Sequence, residues 1–197
     1  RFLDPQKQPI EIKKFLEQEN KILLKLIKNN STLIDLGCGY GRHLKLLSSK
    51  LKYRLGVDIS RTNIEFGNKN LQKYTNIKLE IGYAENVDEN LKFDYAICMN
   101  NTLGNMKNKE RIIEKMRKIA KVIILSVYSV VSVPHRLKWY ENIGLTVKEV
   151  TPRYISLNEG LKSYHFSKED LDKLFAKCRI EKLGKMGHLI LSNNHDD

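Results

Sequence analysis

A glycine-rich turn follows the first strongly apolar segment of the chain and limits what this region can fold into. The segment and turn read Leu33-Ile34-Asp35-Leu36-Gly37-Cys38-Gly39-Tyr40-Gly41. Glycine adopts positive φ at no steric cost and lets a ligand lie close to the backbone. Where a helix follows such a turn, its first amides attract an anionic group. Three glycines at alternate positions therefore predict a ligand-binding turn between a strand and a helix.

Two common nucleotide-binding turns do not match this spacing. A dinucleotide-binding turn needs Gly-x-Gly-x-x-Gly, but Arg42 stands at the last position and the third glycine comes one residue earlier. The Gly-Lys-Ser/Thr sequence of a phosphate-binding loop is also missing from the turn. The turn therefore indicates a ligand other than a dinucleotide or a nucleoside triphosphate.

Strands and helices alternate along most of the chain. Apolar periodicity predicts helices over residues 9–28, 41–51, 60–74, 109–120 and 167–177. It predicts strands over residues 32–36, 53–58, 77–81, 93–99 and 122–127. Strands that alternate with helices at this spacing form a parallel sheet covered on both faces.

The end of the chain departs from this alternation. Apolar segments at residues 179–183 and 188–192 are joined only by Gly184-Lys185-Met186-Gly187. A parallel connection needs a dozen residues or more, so these two strands must be antiparallel. The sequence thus predicts an α/β fold, a doubly wound and mostly parallel seven-stranded sheet that ends in an antiparallel hairpin. We expect residues 1–197 to form a single domain.

The glycine-rich turn and the end of the second strand resemble motifs of one enzyme family. Residues 33–41 are similar to the first motif of class I, Rossmann-like S-adenosylmethionine-dependent methyltransferases, and Gly56-Val57-Asp58-Ile59-Ser60 is similar to their second strand end. The resemblance implies S-adenosylmethionine as the cofactor, its ribose hydroxyls on Asp58 and its adenine on Ile59. The turn residues that it assigns to the cofactor are Asp35, Gly37, Cys38, Gly39 and Gly41.

The assignment of Asp58 also has a physical basis that is independent of the family. An ionised carboxylate only accepts hydrogen bonds and can receive two hydroxyl donors, as a ribose requires. The alternative is that Asp58 merely caps the next helix, a role for which Ser60 is equally suited.

The loop after the third strand resembles the family's third motif less closely. It reads Gly82-Tyr83-Ala84-Glu85, and Tyr83 replaces the residue that usually accepts a hydrogen bond from the adenine amino group. The resemblance implies that the Ala84 backbone and Glu85 contact the cofactor. The alternative for Glu85 is a solvated loop residue.

The segment after the fourth strand resembles the fourth motif of small-molecule N- and O-methyltransferases. It reads Asn100-Asn101-Thr102-Leu103-Gly104-Asn105, and ligands bind at such strand ends in open α/β sheets. The resemblance implies that Asn100 faces the amino-acid end of the cofactor. It places Asn101 and Asn105 beside the methyl acceptor.

A long connection at residues 128–166 is the candidate for covering the substrate. It joins the fifth strand to the last helix, and segments of this kind usually carry specificity. Residues 146–150 and 161–166 can pair as a small two-stranded arm over the pocket. Within the connection, Arg153 and Tyr164 are the candidate substrate-binding residues.

The chemistry of a sulfonium methyl group does not require a general base. Aligning the methyl group with its acceptor can by itself lower the activation barrier of the transfer by about 7–11 kcal/mol. If the acceptor must lose a proton, Tyr128, His135 and His165 are candidate bases; the alternative for both histidines is a surface role. We expect no metal site.

Net charge leaves the class of acceptor open. With 35 Lys and Arg against 23 Asp and Glu, the formal charge is +12, which suits an RNA or protein methyltransferase. However, the lysines are spread evenly along the sequence, and codon bias explains them equally well. We therefore expect a small-molecule methyl acceptor. A third hypothesis is a non-catalytic subunit that binds the cofactor and stabilises a partner.

Location follows from what the sequence lacks. It has no run of 18 apolar residues and no signal-like leader, so we expect no membrane association. Three cysteines without a Cys-x-x-Cys pair are typical of a reducing cytoplasm. The oligomeric state is not predicted.

Overall fold

The computed structural model describes residues 8–176 and 178–193. The α-helices are α1 (Ile10–Leu26), α2 (Arg42–Leu46), α3 (Arg61–Leu71), α4 (Thr102–Asn105), α5 (Lys109–Ile119), α6 (Val133–Asn142) and α7 (Lys168–Leu174). The strands are β1 (Ser31–Leu36), β2 (Leu51–Asp58), β3 (Ile77–Ile81), β4 (Phe93–Cys98), β5 (Ala120–Tyr128), β6 (Val147–Val150), β7 (Tyr154–Leu157), β8 (Lys162–Tyr164), β9 (Arg179–Leu183) and β10 (Gly187–Asn193). None of the described helices is long and apolar enough to cross a membrane.

Seven of these strands form the main sheet, in the order β3-β2-β1-β4-β5-β10-β9. Strands β1 to β5 run parallel to one another, whereas β10 runs antiparallel to both β5 and β9. The prediction of a mostly parallel, seven-stranded sheet that ends in an antiparallel hairpin is confirmed.

Helices cover both faces of this sheet. Neighbouring strand residues point to opposite faces, so buried Leu33 packs with α1, α2, α3 and α6, whereas buried Ile34 packs with α5 and α7. Strand β5 contacts both layers and is almost wholly buried, as its continuous apolar sequence predicts. The two cores therefore share one central sheet.

Helices α2, α3 and α7 are shorter than their apolar patterns predict, and α3 ends at Leu71 rather than at residue 74. Helix α2 ends at Leu46, because residues 47–50 form tight turns and Leu51 already pairs with Ser31 at the start of β2. Helix α7 ends at Leu174, and Lys177, where the predicted helix stops, lies outside the described residues.

A second sheet, the arm, is formed by β6, β7 and β8. The predicted direct pairing of residues 146–150 with residues 161–166 is wrong, since β7 lies between the two segments and pairs with both. The missed strand follows a tight turn in which the Thr151 hydroxyl accepts from the amides of Arg153 and Tyr154, at 3.2 and 3.0 Å. A Thr-Pro pair therefore makes a hairpin here.

Asn101 ties the arm to the main sheet. Its fully buried side chain donates to Ser163 Oγ at 3.2 Å and to the Tyr164 carbonyl at 2.9 Å, and it accepts from the Tyr128 amide at 2.8 Å. These three bonds use most of the hydrogen-bonding capacity of an amide side chain. The structure thus gives Asn101 an internal contact in place of the predicted contact with the methyl acceptor.

We expect Asn101→Ala to lower the free energy of unfolding by about 2–4 kcal/mol. A buried amide without a partner costs about 1–3 kcal/mol, and the Tyr128 N–H loses its acceptor while two further bonds to the arm disappear. Urea unfolding monitored by circular dichroism measures this. Asn105→Ala is the matched control: Asn105 is exposed, and its loss should change stability by less than about 0.5 kcal/mol. Equal effects of the two substitutions would contradict the assignment.

Candidate active site

A cleft of about 510 Å³ opens at the carboxyl ends of the parallel strands. It lies where the strand order reverses between β1 and β4, the position at which open α/β sheets bind ligands. We call it the main cleft; its lining includes Gly37, Asp58, Ile59, Asn63, Tyr83, Ala84, Glu85, Thr102, residues 105–108 and Leu161 of the arm. The ends of β1, β2, β3 and β4 all contribute to it.

The Asp58 carboxylate is held in a fixed orientation at the cleft. Its Oδ2 accepts from the Gly39 amide and its Oδ1 from the Ser60 amide, each at 2.8 Å. The Ser60 side chain in turn accepts from the Asn63 amide and caps α3. Because Ser60 is the cap, Asp58 is not needed for that role. Each carboxylate oxygen keeps a second acceptor position, which suits a pair of ribose hydroxyls.

The glycines of the turn serve different purposes. Among the described residues, a Cβ on Gly39 would meet only Asn63 Nδ2, at 4.0 Å, and the backbone has φ +56°. A Cβ on Gly37 would overlap the methyl group of Thr102. Gly37 is therefore required by internal packing, whereas Gly39 borders open space next to a residue of the cleft. This open space is the cradle that a ligand needs at the turn.

Two large apolar side chains stand exposed at the cleft. Ile59 is 66% exposed and Tyr83 is 60% exposed, and both line the cleft with Ala84 and Glu85. Exposed apolar surface that is gathered in a concave site favours a flat, apolar ligand group such as a purine. Asn105 lines the same cleft. Ile59, Ala84, Glu85 and Asn105 therefore lie in the region that the sequence indicated.

Other predicted cofactor residues lie behind the turn. Asp35 is 1% exposed, with its Oδ2 3.7 Å from His43 Nδ1. Cys38 is buried, and burial together with the charges of Asp35 and Asp58 raises the pKa of its thiol. Gly41 has φ +82° and precedes α2. The structure does not bring Asp35, Cys38, Gly39 or Gly41 into the lining of the cleft.

Asn100 is engaged by the protein on both its backbone and its side chain. Its amide donates to Glu19 Oε1 at 2.8 Å and to Ser126 Oγ at 2.7 Å. Its Oδ1 accepts from the Tyr128 hydroxyl at 3.0 Å. Tyr128 is buried, and burial raises the pKa of its hydroxyl. This hydroxyl remains protonated, so its environment is unsuited to removing a proton from a substrate.

Glu19 is a buried charged residue that was not among the predicted site residues. Its side chain on α1 is fully buried; it accepts from Arg42 at 3.3 Å and also from Ser126 Oγ. The helical spacing of the sequence indicates that Glu19 is buried, since residues 12, 15, 16, 19 and 23 share the buried face of α1. A carboxylate on an apolar helix face needs partners in the interior. The first helix is thus bonded to the ends of β4 and β5.

The remaining predicted residues lie away from the main cleft. His135 Nδ1 is 3.5 Å from Glu11 Oε2 on α1. His165 is 3% exposed, with Nε2 2.9 Å from the Pro152 carbonyl, and burial lowers its pKa. Arg153 and Tyr164 line a second cavity of about 260 Å³ together with His165. The structure therefore brings three of the predicted residues together in a separate cavity.

This arrangement of sheet, turn and strand-end carboxylate is that of a known family. Residues 27–178 match a family model described as a methyltransferase domain. The chain belongs to the methyltransferase domain family. Its seven-stranded fold makes it a class I S-adenosylmethionine-dependent methyltransferase domain, and S-adenosylmethionine is the cofactor. The resemblance inferred from the sequence is confirmed.

Relatives of this methyltransferase match different lengths of it. A Rickettsia prowazekii protein is 38% identical over 73 residues, which are 34% of this chain and only 28% of that protein. A Methanococcus vannielii protein named "Probable cobalt-precorrin-6B C(15)-methyltransferase (decarboxylating)" is 26% identical over 150 residues, 74% of this chain and 80% of that protein.

Solved structures show the same fold. A Pyrococcus horikoshii protein aligns with a TM-score of 0.74 at 20% identity, over 94% of this chain and 92% of that one. Burkholderia thailandensis 1,6-didemethyltoxoflavin-N1-methyltransferase, with bound 1,6-didemethyltoxoflavin and S-adenosylhomocysteine, aligns with a TM-score of 0.66 at 13% identity. That alignment covers 91% of this chain and 77% of the Burkholderia chain.

We expect Asp58→Ala to weaken S-adenosylmethionine binding by about 1–3 kcal/mol, the usual effect of losing hydrogen bonds to a charged group. Isothermal titration measures the affinity, and a thermal unfolding curve shows whether the turn survives the loss of the Gly39 and Ser60 contacts. Asp58→Asn is the matched variant, because its amide oxygen keeps one acceptor, and its affinity should be intermediate. An Asp58→Ala protein with unchanged affinity, or tight NAD binding by the native chain, would refute this role.

We expect Gly39→Val to abolish cofactor binding, because its side chain would enter the open space beside Asn63. A β-branched residue at positive φ also strains the backbone by about 1–3 kcal/mol, and this cost needs a control. Gly160 provides one, since it has φ +87° and no atom of residues 8–176 or 178–193 lies within 4 Å of its added Cβ. Gly160→Val should lose similar stability and still bind S-adenosylmethionine. Retained affinity in Gly39→Val would mean that the turn is only structural.

Proposed function

We propose that this methyltransferase transfers the methyl group of S-adenosylmethionine to a nitrogen or oxygen atom of a small molecule. The observation that carries the proposal is the position of the arm. Leu161, immediately before β8, lines the main cleft together with Gly37 and Thr102. The connection at residues 128–166 therefore contributes to the wall of the cofactor site, as expected of a cover for a small acceptor.

The residues at the cleft suit the cofactor's parts. In this proposal Asp58 accepts hydrogen bonds from the ribose hydroxyls, and Gly39 contacts the methionine part of the cofactor. Ile59 and the Ala84 backbone contact the adenine. The contacts in support are the fixed Asp58 carboxylate and the open space at Gly39. The cofactor supplies an electrophilic methyl group on a sulfonium. The protein's contribution is to bind, orient and exclude water.

Neither Tyr128 nor His165 is suited to act as a base at the main cleft. Tyr128 donates its hydroxyl proton to Asn100, and His165 bonds to the Pro152 carbonyl. The proposed mechanism is therefore direct, in-line transfer, in which positioning of the two reactants supplies most of the rate enhancement. Asn105, exposed at the cleft, is the polar group that we assign to the acceptor.

Two of the related proteins support a small acceptor. The Burkholderia structure holds 1,6-didemethyltoxoflavin, and its name specifies methylation at nitrogen N1. The Methanococcus relative is named for methylation of a cobalt-precorrin at carbon 15. Both names describe small molecules, although the atoms that receive the methyl group differ. The choice of nitrogen or oxygen in this chain rests on the resemblance of residues 100–105 to N- and O-methyltransferases.

The net charge of +12 favours RNA as a second candidate acceptor. Protein–RNA contacts weaken steeply between about 50 and 200 mM salt, whereas transfer to an acceptor held inside a cleft responds weakly to salt over this range. We expect tritium transfer from labelled S-adenosylmethionine to a small-molecule fraction that persists at 200 mM salt. Stoichiometric methylation of one position in purified RNA would favour the RNA candidate. Cofactor binding without any transfer would favour a non-catalytic subunit.

A further inference from the structure

The second cavity, which we call the side cavity, adjoins the main cleft. It lies between the start of α5, the end of β8 and helix α7, and its volume is about 260 Å³. Its lining includes Lys107, Lys109, Glu110, Arg153, Tyr164, Asp170 and Lys173. Lys107 lines both the side cavity and the main cleft. A molecule bound in the side cavity can therefore extend past Lys107 toward the main cleft.

Positive charge exceeds negative charge around the side cavity. Of the described residues, four cationic side chains line it against two carboxylates. One of these carboxylates, Asp170, lies 3.6 Å from Arg153. Lys162 adds a further cation next to Tyr164. These residues come from three separate parts of the chain, so the excess of charge is created by folding.

Tyrosine rings hold two of the ammonium groups in place. Lys109 Nζ lies 3.8 Å from the ring centre of Tyr164 and donates to the Met106 carbonyl at 2.9 Å. Lys162 Nζ lies 3.6 Å from the ring centre of Tyr154. Cation–π contacts of this kind restrain a lysine without neutralising it. In residues 8–176 and 178–193 no carboxylate oxygen lies within 4.0 Å of either ammonium group.

The like charges act on one another. The pKa of Lys109 lies below its usual range because the side chain is half-buried and because Arg153 and Lys162 repel its charged form. Repulsion among restrained cations is relieved when an anion binds between them. Arg153 adds a planar guanidinium, which pairs well with two oxygens of a carboxylate or phosphate.

We propose that the side cavity binds an oxyanion group, a phosphate or a carboxylate, that belongs to the small-molecule methyl acceptor. The inference rests on the proposed function, and it names the acceptor's class: an anionic small molecule, anchored beside Lys109 and Arg153, whose remaining part extends past Lys107 into the main cleft. The volume of about 260 Å³ is large enough for such a group. Because the ammonium groups are already held in place, little ordering is needed when a ligand binds, and the cavity favours an anionic group over a neutral one.

Inorganic phosphate and malonate are the probes. Phosphate represents a phosphate group of the acceptor, and malonate represents a carboxylate group. Each is titrated into the native chain with S-adenosylhomocysteine present, at constant ionic strength, and binding is followed by calorimetry. In parallel, trace labelling of lysines with acetic anhydride, read by mass spectrometry, reports the protection of each ammonium group. We expect one probe to bind saturably and to protect Lys109 at least threefold. Lys148, which is exposed on β6 of the same arm, should not be protected.

The matched variants are Lys109→Met, Lys109→Arg and Lys148→Met. Lys109→Met should weaken binding of the probe at least tenfold, whereas Lys109→Arg and Lys148→Met should stay within threefold of the native chain. Affinity for S-adenosylmethionine should be equal in all four proteins, which shows that each is folded. No saturable binding of either probe, equal binding by Lys109→Met and Lys148→Met, or protection of Lys109 by RNA alone would overturn the proposal.

The test also separates this inference from the proposed function. Transfer to a neutral small molecule, with no binding of phosphate or malonate, would overturn the anion site and leave the small-molecule assignment intact. Specific probe binding in a chain that methylates only RNA would overturn the proposed function, and with it the assignment of the anion to a small acceptor.

Discussion

The parallel pairing of β1 with both β2 and β4 is the constraint on which the rest of the structure depends. Because β1 pairs with two strands that continue in opposite directions across the sheet, the helices on its two sides cover opposite faces. No helix can then close over the carboxyl end of β1, so a crevice remains there. The glycine-rich turn, the strand-end carboxylate of Asp58 and the segment at residues 102–108 all meet at this crevice. The site is thus a consequence of strand order.

A buried carboxylate connects the first helix to this crevice. Removing Glu19 from water costs several kcal/mol unless its oxygens find strong donors. Arg42 after the turn, the Asn100 amide at the end of β4 and Ser126 on β5 provide them. These donors are available only when α1 is docked in this position, so the polar contacts fix where α1 lies. The geometry of the turn and the placement of the first helix are therefore linked through Glu19, and Asn20 of the same helix also accepts from Arg42, at 2.9 Å.

Sequence patterns predicted those features that local physics determines. The alternation of strands and helices gave the sheet, the short Gly184–Gly187 connection gave the hairpin, and the position of Asp58 at a strand end placed it at the cleft. Contacts between distant residues were not predictable in this way. Asn101 looks like a site residue from its position after β4, but its partners are on the arm, at Ser163 and Tyr164. Nothing within a few residues of Asn101 encodes those partners.

The same distinction applies to charge. Net charge is a property of composition, and at about 0.15 M salt exposed charges farther apart than about 8 Å are largely screened from one another. Most of the lysines therefore act separately at the surface and reveal little about a partner. Lys109 and Lys162 differ, because they share contact with one tyrosine ring, Tyr164, and are close enough for their repulsion to affect the pKa of Lys109. An even spacing of lysines along the sequence is compatible with such a cluster, since the arm brings residues 153 and 162 against residue 109. It is this local group, rather than the total of +12, that carries information about the charge of the acceptor.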